Sequence, residues 1–81
     1  MYLKLSDKAI VQYNALTKNL QKKADKQFEF LMADIRHPSL HAKKYQGQSD
    51  IWQGRIDQNW RFYFHIITPD YIIVSIISHP K

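Results

Sequence analysis

The chain contains no cysteine, so it has no disulfide framework, no thiolate nucleophile and no cysteine-based metal site, and nothing argues for secretion. Glycine is almost as scarce. Two glycines in 81 residues cannot build the glycine-rich turns that cradle phosphates in phosphate-loop and dinucleotide-binding folds. No apolar run approaches the ~18 residues of a membrane span, and the opening Met1-Tyr2-Leu3-Lys4-Leu5-Ser6-Asp7 is too short and polar for a secretory signal. A soluble cytoplasmic protein without membrane contact is therefore expected. There is no G-x-S-x-G setting for a serine nucleophile. Asp50, Asp57 and Asp70 fall at strand starts and turns, not as the paired carboxylates of a glycosidase. His37 and His41 are four apart but split by Pro38, and no carboxylate or cysteine nearby completes a metal set. No metal and no cofactor are expected.

Acid is the other shortage. Seven Asp and Glu against twelve Lys and Arg leave a net charge of +5, which favours a polyanionic partner such as nucleic acid or an acidic protein. The length of 81 residues corresponds to one small domain, residues 1–81, that buries only ~60 to 65% of its unfolded surface and so needs a compact, aromatic core.

In chain order, Tyr2 to Leu5 alternates as a first strand, and Ser6-Asp7 supplies an N-cap and a first-turn acid. A helix from about Asp7 to Lys18 would place Ile10, Tyr13 and Leu16 on one stripe. Asn19 can cap a second helix with Ala24, Phe28, Leu31, Met32 and Ile35 inward and Lys22, Lys23, Asp25 and Lys26 in water. Pro38 ends it. His41 to Gly47 reads as a short extended piece. Ile51 to Phe64 reads as two strands around a tight polar turn, and Thr68-Pro69-Asp70 turns into a β-branched last strand, Tyr71 to Ile77. The expected architecture is α+β, in the order β-α-α-β-β-β, with a helical hairpin on one face of a twisted, mainly antiparallel sheet.

Parity fixes the faces of the central hairpin. Trp52, Gly54, Ile56, Trp60, Phe62 and Phe64 share one side if even positions pair with even, which is met when the strands pair around Gln58, with Asp57 opposite Asn59. Arg55 then lies across from Arg61. Cations placed directly opposite each other destabilise a ladder by roughly 0.2 to 1 kcal/mol. The pair either splays into solvent or holds an anion between its members, for which phosphate is the natural candidate. Gln53, Tyr63 and His65 would share that open face.

A surface rich in Arg, Lys, His and Tyr suits metal-free cleavage of RNA, in which the substrate's own 2′-hydroxyl attacks the adjacent phosphate. The protein then has to move protons and stabilise charge on the phosphoryl oxygens. Guanidinium groups suit the second task and histidine the first.

These residues also resemble a known family. His37-Pro38-Ser39-Leu40, Lys43-Lys44-Tyr45-Gln46-Gly47, Trp52-Gln53-Gly54-Arg55 and Trp60-Arg61-Phe62-Tyr63-Phe64 follow the order of segments in the RelE/ParE superfamily of bacterial toxins. Within it, they are similar to the RelE-like ribosome-dependent mRNA endonucleases of type II toxin-antitoxin systems. The resemblance implies a RelE-like fold, no cofactor, mRNA and the ribosomal A site as targets, and a cognate antitoxin as partner. By the same resemblance Arg61 would hold the scissile phosphate and Arg55 would help bind and activate the nucleotide. Gln53 stands at a position of that strand that is often basic. Lys81 aligns with a charge-stabilising or proton-donating arginine, and His79 with a histidine that follows the last strand. Lys43, Lys44, Gln53 and Tyr63 would line the nucleic acid's path. The catalytic tyrosine that many members carry further along has no counterpart up to Lys81. ParE-like relatives of the same fold act on DNA gyrase and supply one alternative, non-enzymatic reading; a RelE-fold protein with a degenerate nuclease site is the other.

Overall fold

A computed structural model of the chain describes residues 1–45 and 50–78. Strand β1 (Tyr2–Leu5) is followed by helices α1 (Asp7–Ala15) and α2 (Lys18–Ala33), a 3-10 turn (Pro38–Leu40), and strands β2 (Lys43–Lys44), β3 (Trp52–Arg55), β4 (Trp60–Ile67) and β5 (Asp70–Ser78). The strands form a five-stranded sheet in the order β1-β5-β4-β3-β2. Neighbours are antiparallel except β1, which runs parallel to β5. The α+β architecture expected from the sequence is therefore present; the short extended piece expected after His41 contributes the two-residue β2, and the 3-10 turn is added.

Local chemistry sets the helix ends. Ser6 caps α1, its Oγ accepting the N–H of Ala9. Leu16 then turns to extended backbone at ψ 151°, which ends α1 three residues before the expected Lys18. Thr17, not Asn19, caps α2, its Oγ1 accepting the N–H of Leu20. The inward stripe of α1 is also rotated from the expected one. Ala9 is fully buried while Ile10 and Val11 are exposed, because Ala9, Gln12 and Leu16 follow helical spacing and Ile10 lies about 100° away from Ala9. On α2 the buried side is Ala24, Gln27, Phe28 and Leu31. Met32 is exposed and Ile35 lies past the helix end. Lys22, Lys23, Asp25 and Lys26 face water as expected.

The helical hairpin is clasped by polar groups. Tyr13 Oη donates to Asp25 Oδ1 at 2.6 Å and Gln21 Nε2 donates to the Tyr13 carbonyl. Hydrogen bonding to Asp25, then burial, pushes the Tyr13 hydroxyl up to about 12. The first helix also completes the sheet. A register shift at Tyr63/Phe64 leaves Val74 unmatched on β5, beyond the end of β1. Ser6 Oγ donates to the Val74 carbonyl, and Gln12 Oε1 accepts the N–H of Ile76 at 2.7 Å. Backbone groups exposed where β1 stops are thus satisfied by side chains.

Both helices cover the same face. The core holds Phe28, Leu31, Leu40, Ile56, Phe62, Phe64, Tyr71, Ile73 and Ile76. Phe28 meets Phe62 edge-on with ring centroids 5.1 Å apart, and Phe64 meets Tyr71 edge-on at 5.8 Å. Gly54 is the register partner of Phe62, and the ring of Phe62 lies across the space a side chain would take. A Cβ on Gly54 would come within 2.7 Å of Phe62 Cε1 and nearer still to Cζ. Gly54→Val should therefore overpack the sheet and destabilise the protein by about 1 to 3 kcal/mol, read as a lowered urea midpoint. An unchanged midpoint would show that Phe62 has room to move.

Candidate functional site

The register of β3 and β4 is the expected one, centred on Gln58: Trp52 pairs with Phe64, Gln53 with Tyr63, Gly54 with Phe62 and Arg55 with Arg61. The turn between them is built by Asp57, whose Oδ1 accepts the N–H groups of Asn59 and Trp60 at 2.8 and 2.9 Å. The N–H of Ile56 donates to the Trp60 carbonyl. By the alternation of an antiparallel ladder, Arg55 and Arg61 are then a non-hydrogen-bonded pair, the kind whose Cα atoms approach to about 4.5 Å. The two guanidinium-bearing chains leave the sheet at its closest spacing.

They do not behave alike. Arg61 is buried at 7% exposure, deeper than an open sheet face implies. Its Nη1 donates to the carbonyls of Asp57 at 2.7 Å, Trp60 at 3.0 Å and Gln58 at 3.3 Å, so one end of the guanidinium is committed to the hairpin turn. Nε and Nη2 take no part in those bonds, and a guanidinium carries five N–H donors in all. Burial, then the neighbouring Arg55 charge, lowers its pKa, against the pull of Asp57. Arginine nevertheless stays charged in proteins. Arg55 is half-buried, and its Nε is buried with no hydrogen-bond partner among the described residues.

Together with His41, Ala42, Lys43 and Gln53, the two arginines line a groove of about 500 Å³. Lys43 pairs with Gln53 across the β2–β3 ladder and so projects to the same side. Lys44 faces the other way and lies over the Trp52 ring at 6.0 Å, so it is separated from Lys43 by the period of the strand. Beyond the groove, Tyr45 meets Tyr63 edge-on at 5.3 Å. The two line a shallower recess with Ile51, Val74, Ser75 and Ile77. Burial, then Tyr45, raises the Tyr63 hydroxyl pKa, so it stays neutral at physiological pH. His79 and Lys81 lie outside the described residues. β5 is described as far as Ser78, the register partner of Trp60, with Ile77 opposite Arg61.

Two residues that frame the groove carry no signal at the level of motif. Gln27 is buried on α2, and its Nε2 donates to the carbonyls of Arg55 at 2.8 Å and Ser39 at 3.0 Å. It ties the helical layer and the 3-10 turn to the β3 edge just where β2 has stopped. Helical spacing places Gln27 beside Ala24, Phe28 and Leu31, and a polar residue inside that stripe is the clue that was there to read. His41 is the other. In the sequence its one visible partner is His37, four residues before it. Among the described residues no group of three or more His, Asp or Glu side chains is arranged to hold a metal ion. His37 stacks on Phe30 with centroids 3.7 Å apart and its Nδ1 accepts the N–H of Ser39, a local structural role.

No protein-family model and no curated protein matches the chain. Solved structures do. A YoeB/ParE toxin from Agrobacterium tumefaciens superposes with a TM-score of 0.83 at 13% identity, covering 99% of this chain and 100% of that one. The intact Escherichia coli RelBE toxin-antitoxin complex matches with a TM-score of 0.78 at 13% identity over 99% and 98% of the two chains. The Staphylococcus aureus YoeB dimer matches with a TM-score of 0.72 at 20% identity over the same shares. The chain thus has the fold of the RelE, YoeB and ParE toxins. Among the described residues no helix is long and apolar enough to cross a membrane.

The turn that orients Arg61 should titrate. Burial raises the Asp57 pKa, but the N–H of Asn59, the Lys23 ammonium 3.4 Å away and the N–H of Trp60 outweigh it and hold the carboxyl below its ordinary value. A carboxyl depressed in the folded state contributes stability above its unfolded pKa of about 4, and loses it as pH falls through the folded value. Asp57→Asn keeps an acceptor for the turn while removing the charge. The wild type should be the more stable at about pH 7 and the gap should close towards about pH 3, measured by urea unfolding. A gap of constant size would place the effect in shape alone.

Proposed function

We propose that this protein is the toxin of a type II toxin-antitoxin pair, a cytoplasmic endoribonuclease of one domain that cuts messenger RNA in the ribosomal A site without a metal ion. The observation that carries this reading is the apposed Arg55 and Arg61 on one groove, with Lys43 and Gln53 on its wall. A phosphodiester between two such groups meets charge-assisted donors, and a buried arginine Nε without a partner is a donor in need of an acceptor. The 2′-hydroxyl attacks phosphorus, the arginines stabilise the charge that builds on the phosphoryl oxygens, and the 5′ oxygen leaves. Tyr63 and Lys43 contact the flanking RNA, and Lys44 meets more distant phosphate from the strand's other side. His79 and Lys81, placed there by family resemblance, serve proton transfer and charge stabilisation from the C-terminal end.

Toxins of this fold have been solved with antitoxins, as in the Escherichia coli RelBE complex. For this chain the partner is a cognate antitoxin with an acidic segment, which the net charge of +5 would attract.

Expression in bacteria followed by primer extension on messenger RNA tests the reading. The wild type should arrest translation within minutes and leave discrete cuts. Arg55→Ala, which removes a side chain that holds no hydrogen bond among the described residues, should slow cleavage on the order of 100- to 1000-fold without lowering the melting temperature. Arg61→Ala should slow it at least as much, and also loosen the turn. Early DNA damage with translation intact would instead identify a gyrase inhibitor of the ParE kind.

A further inference from the structure

We infer that His41 is the general base of the cleavage reaction, the group that takes the proton from the attacking 2′-hydroxyl. The assignment rests on the RNA-cleavage reading and supplies a step that reading lacks within the described residues. The groove is lined by His41, Ala42, Lys43, Gln53, Arg55 and Arg61. Arg55 and Arg61 keep their protons at any working pH, an ammonium has no lone pair, and a glutamine amide is not basic. Among the described residues that line the groove, His41 is the side chain with a basic nitrogen lone pair, and imidazole is the commonest general base of proteins.

Its position is built, not accidental. The preceding Leu40 is fully buried, Ser39 is held by Gln27 through both its carbonyl and its hydroxyl, and Lys43 two residues on enters the sheet ladder. Between these anchors His41 takes left-handed backbone at φ 47° and ψ 39° and donates its N–H to the Pro38 carbonyl. Histidine is one of the few residues enriched in that region. The other described histidines are engaged: His37 by Ser39 and Phe30, and His65 by the Asp50 carbonyl at 2.7 Å. Among the described residues neither ring nitrogen of His41 has a hydrogen-bond partner.

The step balances without a co-reactant. A ring nitrogen of neutral His41 removes the 2′-hydroxyl proton as the oxygen bonds to phosphorus. The bond from phosphorus to the 5′ oxygen breaks, and that oxygen takes a proton from a donor or water. The products are a 2′,3′-cyclic phosphate and a 5′-hydroxyl. The charged groups that line the groove with His41 are Lys43 on β2, Arg55 on β3 and Arg61 on β4; among the described residues no carboxylate lines it.

The test is single-turnover cleavage of messenger RNA in the A site of programmed ribosomes, by the full chain, from about pH 5.5 to 8.5. The wild-type rate should rise with pH through an inflection as the base loses its proton and yield cyclic phosphate ends. His41→Asn, which keeps a residue at ease in left-handed backbone, should melt like the wild type, cleave about 100-fold or more slowly and lose the inflection. Added imidazole should restore part of the rate to His41→Ala. Cleavage by the wild type with an unchanged rate or inflection in His41→Asn overturns the assignment and leaves the RNA reading standing. No cleavage by the wild type at any pH overturns both.

Discussion

The structure turns on the parity of one hairpin. Because β3 and β4 pair about Gln58, the even-numbered residues of the two strands, Trp52, Gly54, Phe62 and Phe64, share the side the helices cover, and Gln53, Arg55, Arg61 and Tyr63 share the other. A slip of one residue by β4 would bring Arg61 under the helical layer and put Phe62 in water. The register is therefore enforced from the core side, where Phe62 lies over Gly54 and meets Phe28 edge-on. Apposing two cations on the far side costs a few tenths of a kcal/mol to about one. Packing of the phenylalanines, worth several times that, decides the outcome.

Arg61 turns part of that cost into a structural contact. Its Nη1 lies on three turn carbonyls while Asp57 gathers the turn's N–H groups. The turn thus presents its acceptors to a cation and its donors to an anion, each side satisfied by a residue of the hairpin itself. Gln27 closes the remaining gap by taking the Arg55 carbonyl at the bare edge of β3. Substituting a leucine there would leave that carbonyl and that of Ser39 without this donor, so the helical layer is coupled to the groove by hydrogen bonds and not by apolar contact alone.

Much of this could be read from residues alone. Alternation from Ile51 to Phe64 determined both faces, because a strand's period of two leaves a single parity compatible with a core, and centring the short polar turn on Gln58 then selected the Arg55–Arg61 pairing. The first strand, the Ser6 cap and the helical order were legible for similar reasons. The rotation of α1 was not: Ile10 and Val11 are as apolar as any core residue, and only the packing of small Ala9 against the sheet decides which side turns in. Nor were the Lys43–Lys44 split, which needs the exact ladder of β2, and the burial of Arg61, which needs the carbonyls of a turn whose shape a sequence does not print. His41 escaped because proximity in the chain pointed to His37, whereas the fold carries it toward β3 and β4, fourteen and twenty residues away.

A groove whose charged groups are already fixed has an advantage for chemistry. In water, charge developing on a phosphoryl oxygen must wait for solvent dipoles to turn. Arg61, held at one end by the turn, needs no such reorganisation when an anion arrives. Arg55 differs, since its buried Nε without a partner raises the energy of the empty groove and lowers it once an acceptor is bound. One arginine is thus preorganised and the other is under-satisfied. Both conditions favour the anionic state over the empty one, and both follow from a hairpin register that the opposite face of the sheet imposed.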